Sequence, residues 1–175
     1  MMTKTIQFLT AILVLISLSS CDELTDVHFN TSMTERIPVH IDQTQGSAVS
    51  FNESVILNLD NDDTHDYLNS IKDIEINSLT YKLIDFSGDI DGTIDVQFYL
   101  GVNPLLQNSI MVKTTVDNAT VFEITDVQEL NTIAIALKNG HQVTARYQGT
   151  ALCNDDNMDF KVEVNLEVAV TADPI

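Results

Sequence analysis

Val143-Thr144-Ala145-Arg146-Tyr147-Gln148-Gly149-Thr150-Ala151-Leu152-Cys153, followed after an acidic loop at 154–159 by Phe160-Lys161-Val162-Glu163-Val164-Asn165-Leu166-Glu167-Val168-Ala169-Val170, is the stretch whose reading decides the fold. Apolar and small residues recur at every second position, and Lys161, Glu163, Asn165 and Glu167 fill the positions between. A period of two with one apolar face is the signature of a half-buried β-strand, and burial on one side only is the habit of antiparallel sheets. The reading expects these two runs to be the arms of a terminal hairpin.

Upstream, the same period dominates. Val27, Phe29, Met33, Ile37, Val39 and Ile41 share one phase, which predicts one long strand or two strands bent near Glu35. Pro38 fits an edge strand, where its missing N–H breaks no ladder. Phe51, Val55, Leu57 and Leu59 form a second strand. A third carries Ile74 and Ile76 in one phase and Leu79, Tyr81 and Leu83 in the other, so a β-bulge is expected at Asn77-Ser78. Asp91-Gly92 is a hairpin dipeptide and leads into a strand with Ile94, Val96, Phe98 and Leu100 facing inward. Asn103-Pro104 breaks the pattern, and weaker strands are read at 110–116 and 121–124.

Two helices interrupt the strands. Asp62, Asp63 or Thr64 can cap a short one over about 62–71, with Tyr67, Leu68 and Ile71 as its stripe. The second spans about 126–139. Thr125 with Gln128 forms a capping box, Asp126 and Glu129 lie in the first turn, Lys138 lies in the last, and Gly140 closes it. Val127, Leu130, Ile133, Ala134 and Leu137 make its apolar face. The chain therefore reads as mainly β: a single antiparallel sandwich or partly closed barrel of about seven strands, with the 126–139 helix over an end or opening.

The first residues are of another kind. Lys4 precedes an apolar run at 6–16, and small residues lead into Leu18-Ser19-Ser20-Cys21. A basic start, a short apolar core and a small-residue processing site form a secretory signal, and the run is too short to span a bilayer. Leu18-Ser19-Ser20-Cys21 resembles the lipobox of bacterial lipoproteins. That resemblance implies that residues 1–20 are removed and that Cys21 receives a diacylglycerol and becomes the mature N-terminus. Residues 21–26 then form an acidic tether and 27–175 the domain. The tether reaches at most roughly 17 Å, so the domain is held close to the bilayer. Acidic residues after the lipidated cysteine resemble surface-export signals of some bacterial lineages, and in others an aspartate there favours inner-membrane retention. The expectation is a lipid-anchored envelope protein, in the outer rather than the inner membrane and displayed on its surface.

Charge narrows the partners. The chain carries 8 Lys and Arg against 26 Asp and Glu, a net charge of −18. No cationic face for phosphate can be assembled from so few positive residues, which excludes nucleic acid. The same charge repels an anionic membrane surface, so attachment falls to the lipid. With Cys21 acylated, Cys153 has no disulfide partner, and its inward phase makes it a core thiol.

Signs of catalysis are thin. G-x-S-x-G, P-loop, G-x-G-x-x-G and H-E-x-x-H motifs are missing, and the histidines at 28, 40, 65 and 141 are far apart in sequence, with His28 and His40 of outward parity. Calcium has the better chemistry. Loop 60–66 sets oxygen side chains at alternate positions, with Asp60, Asp62 and Asp66 as candidate ligands. It is not an EF-hand, since His65 stands where glycine belongs and Ile71 where the bidentate glutamate belongs. Loops 89–95 and 154–159 are acidic as well, and all three equally suit solvated turns. The function expected is therefore a non-catalytic binding or accessory domain with no required cofactor. One alternative is a carrier of a small apolar ligand, against which the 6% aromatic content and the absence of tryptophan count. The other is a carboxylate-dependent envelope hydrolase.

Overall fold

The computed structural model describes residues 26–174. The signal segment expected at 1–20, the acylation expected at Cys21 and the expected tether up to Thr25 lie outside the described residues.

The strands are β1 (Val27–Ile41), β2 (Val49–Asn58), β3 (Ile71–Gly88), β4 (Thr93–Leu100), β5 (Pro104–Met111), β6 (Val121–Glu123), β7 (Gln142–Leu152) and β8 (Met158–Ala172). A 3-10 turn covers His65–Ser70, and two α-helices follow, α1 (Val112–Asp117) and α2 (Val127–Gly140). They form two four-stranded antiparallel sheets, ordered β1-β8-β3-β6 and β2-β7-β4-β5. β1 pairs with β8, β2 with β7, β3 with β6 and β4 with β5. Four nested antiparallel pairs wound into a two-sheet sandwich are the path of an eight-stranded jelly roll.

Phase and burial agree along the long strands. Val162, Val164, Leu166 and Val168 of β8 are fully buried, while Glu163, Asn165 and Glu167 point outward. β1 is continuous, paired residue for residue with β8 through Glu35, and it is an edge strand, which accommodates Pro38. The bulge in β3 falls between Ile76 and Ser78. Between the sheets, Tyr81 packs on Phe98 at 4.7 Å between ring centroids and meets Tyr147 edge-on at 5.8 Å. Tyr147 in turn lies 6.0 Å from Phe51 and 6.4 Å from Phe160. These aromatics, with Leu57, Leu79, Leu83, Leu166 and Met158, fill the inter-sheet space. Cys153 is buried beside them, its thiol donating to the Asp42 carbonyl at 3.3 Å. Burial, first of all, raises that thiol's pKa and keeps it protonated.

Several expectations are corrected. β7 and β8 are not a hairpin, because they belong to opposite sheets, and the same holds for β3 and β4 on either side of Asp91-Gly92. Both connections cross from sheet to sheet and are tied to each other. One Asp89 carboxylate oxygen accepts the N–H groups of Asn154 and Asp155 at 2.6 and 3.0 Å, and the other accepts that of Asp91 at 2.9 Å. These backbone N–H groups hold the Asp89 carboxyl below the usual range, that of Asp155 most strongly. Pro104 does not end the pattern but opens β5, an edge strand. Residues 112–116 are helical rather than extended, burying Val112 and Thr115 one turn apart. The short helix is a 3-10 turn, and Ile71 already belongs to β3. α2 is capped by Asp126 rather than Thr125, its carboxylate accepting the N–H groups of Gln128 and Glu129 at 2.9 and 3.1 Å. Gly140 is its last residue, and His141 takes the left-handed closing position at φ 56°. Val127, the first residue of the helix, is 70% exposed, so the packed face is Leu130, Ile133, Ala134 and Leu137.

Candidate functional site

The jelly-roll path sends the acidic loops to opposite ends. Loop 60–66 precedes the start of β3 and loop 89–92 follows its end, on the order of 50 Å away along an extended strand. The second and third loops meet through Asp89, whereas the first stands apart and is braced by local bonds and by Thr31 of β1. The Asn61 side-chain carbonyl accepts the Asp63 N–H at 3.0 Å, and the Asn61 amide donates to Thr31 at 3.1 Å. Thr31 donates to Asp63 at 3.1 Å, and buried Thr64 donates to the Leu59 carbonyl. Of the calcium candidates, Asp60 is taken by His65, with Nδ1 2.7 Å from Oδ1, while Asp62 and Asp66 are exposed. Among the described residues, no three His, Cys, Asp or Glu side chains group as a metal ion would need.

The histidines stay separate. His28 meets Thr171 at 3.0 Å on the outer face, and His141 closes α2. His40 lies between two carboxylates, 2.6 Å from Asp159 and 3.3 Å from Asp42. Its hydrogen bond to Asp159, followed by that to Asp42, raises its pKa above the ordinary histidine value. Three carboxylates (Glu53, Asp85 and Asp159) line the groove beside it, and Asp85 is held by Lys161 at 2.9 Å.

A second groove, of about 390 Å³, was not anticipated. It runs between the start of β3 and α2, with Asp73, Ile74 and Glu75 on one wall and Ala134, Ile135 and Lys138 on the other. β6 is only three residues long, so it covers 80–82 of the eighteen-residue β3, and α2 flanks the earlier part. The sequence held one sign of it. Ile135 is apolar yet falls off the packed stripe of α2, and it is 61% exposed. The short strand expected at 121–124 is β6, but nothing in the strand pattern says that it pairs with β3 and leaves 71–78 uncovered.

The chain matches no protein-family model. It matches no curated protein either. Among solved structures it is similar in outline to the decameric BFDV capsid protein, at 10% identity over 82% of this chain and 99% of that one, with a TM-score of 0.45. A structure of Desmodium yellow mottle tymovirus is similar at 8% identity over 87% and 86%, with a TM-score of 0.40. Turnip yellow mosaic virus follows at 10% over 83% and 96%, with a TM-score of 0.32. At these values the likenesses carry nothing about function.

Proposed function

We propose that this protein is a lipid-anchored, non-catalytic domain of a bacterial cell envelope, attached through Cys21 and acting there as a partner-binding or accessory subunit. The lipobox-like Leu18-Ser19-Ser20-Cys21 supports the attachment. The acidic tether supports outer-membrane placement and display at the surface.

The observation that carries the choice of binding over carriage is the filled inter-sheet space. Tyr81, Tyr147 and Phe98 are each no more than 1% exposed and pack on one another where an apolar ligand would have to lie. The surface is left for recognition, and its net charge of −18 favours cationic partners. The test is the mass of the N-terminal peptide of the mature protein. A diacylglycerol on Cys21 is expected, and an unmodified cysteine within an uncleaved leader would overturn the proposal.

A further inference from the structure

The early part of β3 is a strand edge without a strand beside it. β8 pairs with β3 along one side, from Ile71 to Gly88. On the other side β6 pairs with 80–82, and the Ile124 N–H adds one bond to the Leu79 carbonyl. Among the described residues, no strand covers the flank of 71–78 that faces away from β8. Half of the backbone groups of an edge strand point outward and form a template for another chain. Here α2 packs beside that edge through its buried face, and between its exposed side and β3 lies the groove lined by Ile74, Ala134 and Ile135.

We propose that this groove takes an extended peptide from a partner protein, which adds a strand to β3 in line with β6. The arrangement, a sheet edge facing a helix across a cleft, suits strand addition, in which main-chain hydrogen bonds supply affinity and alternate side chains supply specificity. The alternation specifies the peptide. On the outer face, Asp73 and Glu75 are exposed and one strand position apart on the same side, so they pair with basic residues at alternate peptide positions. On the inner side, residues between the basic ones meet Ala134 and the exposed Ile135, so they are apolar. The ligand is thus an extended segment alternating Lys or Arg with aliphatic residues, drawn in by the acidic surface. This inference deepens the partner-binding reading and rests on it, but it does not depend on the lipid anchor.

The test uses the full chain in detergent and a fluorescent synthetic peptide alternating lysine and valine. Binding is expected to protect from hydrogen exchange those backbone amides within 71–78 that point away from β8. A glutamate–valine peptide, and a lysine–valine peptide N-methylated on alternate residues, are each expected to bind at least about tenfold more weakly. The double variant Asp73→Lys, Glu75→Lys is expected to lose binding by a similar factor, while Glu53→Lys and Asp95→Lys on the other sheet leave it unchanged. Equal binding of the N-methylated peptide, or equal loss with the distant variants, would overturn strand addition in favour of diffuse charge attraction. Amides within 71–78 that point away from β8 and are nonetheless protected before peptide is added would overturn it too, since the chain itself or a second copy then holds the edge. If the peptide fails while Cys21 proves acylated, the groove is wrong and the anchor stands.

Discussion

Arg36 reaches across the β1–β8 ladder to Glu163 and sets two of its nitrogens, Nε and Nη2, 2.9 and 2.8 Å from the same carboxylate oxygen. The other oxygen is 2.8 Å from Lys82 on β3. One carboxylate therefore stitches the outer face of three strands at the register Arg36, Glu163, Lys82. Its side chain is only 15% exposed, unlike those of its two partners.

The first prediction follows from that position. Lys82, then Arg36, holds the Glu163 carboxyl below the ordinary glutamate range. A depressed carboxyl contributes stability that is complete above its unfolded pKa, near 4.5, and is lost as pH falls through the lower folded value. Glu163→Gln should cost about 1 kcal/mol at pH 7. The gap from the parent should close below pH 4.5 in urea titrations across pH. A gap that persists undiminished in acid would contradict the ion-pair origin.

The hydroxyl of Tyr147 is buried between the sheets and has no hydrogen-bond partner among the described residues. Burial, with the neighbouring Tyr81, pushes its pKa well above the ordinary tyrosine value. An unpaired buried hydroxyl costs about 1–3 kcal/mol, and replacing it by hydrogen removes that cost without altering the ring packing. Tyr147→Phe should therefore raise the unfolding free energy by about 1 kcal/mol. A loss of stability in the same denaturation experiment would show that the hydroxyl is satisfied.

α2 separates a filled domain from a carrier. Leu137 is fully buried, whereas Leu130 is half-buried at the margin of the core. As a fixed lid, α2 makes Leu137→Ala cost about 2–5 kcal/mol and Leu130→Ala less. A gate over a ligand space would pack loosely, so near-neutral behaviour at Leu137 would favour the carrier.

How far such features can be read in advance differs from residue to residue. The alternation in 143–153 and 160–170 stated correctly which side chains turn inward, from Tyr147 to Val170. It could not state which strands pair, because both sheets of a sandwich have one inward face and therefore one pattern. The choice between hairpin and crossing is associated with Asp89, which binds the backbone of Asn154 and Asp155 from 65 and 66 residues away, and no local period records that. The bulge after Ile76 was legible because it shifts a phase. Two errors were of one residue or one turn. Asp126 caps α2 in place of adjacent Thr125, since both are N-cap residue types and the helix starts one residue later, with Gln128 and Glu129 donating to Asp126. Val112 and Val116, four residues apart, share a face in a helix as in a strand when only a few residues are in view. The free edge of β3 was invisible for the same reason as the pairing: it depends on which strand β6 joins and at what register, not on the length of β6.

The proposed membrane attachment through Cys21 is tested most directly by fractionation of Cys21→Ser. If acyl chains rather than charge hold the protein, the parent should sediment with membranes through high-salt and carbonate washes. The variant should appear as soluble, folded protein of unchanged thermal stability. A variant that stays with the membrane through the same washes would contradict the account.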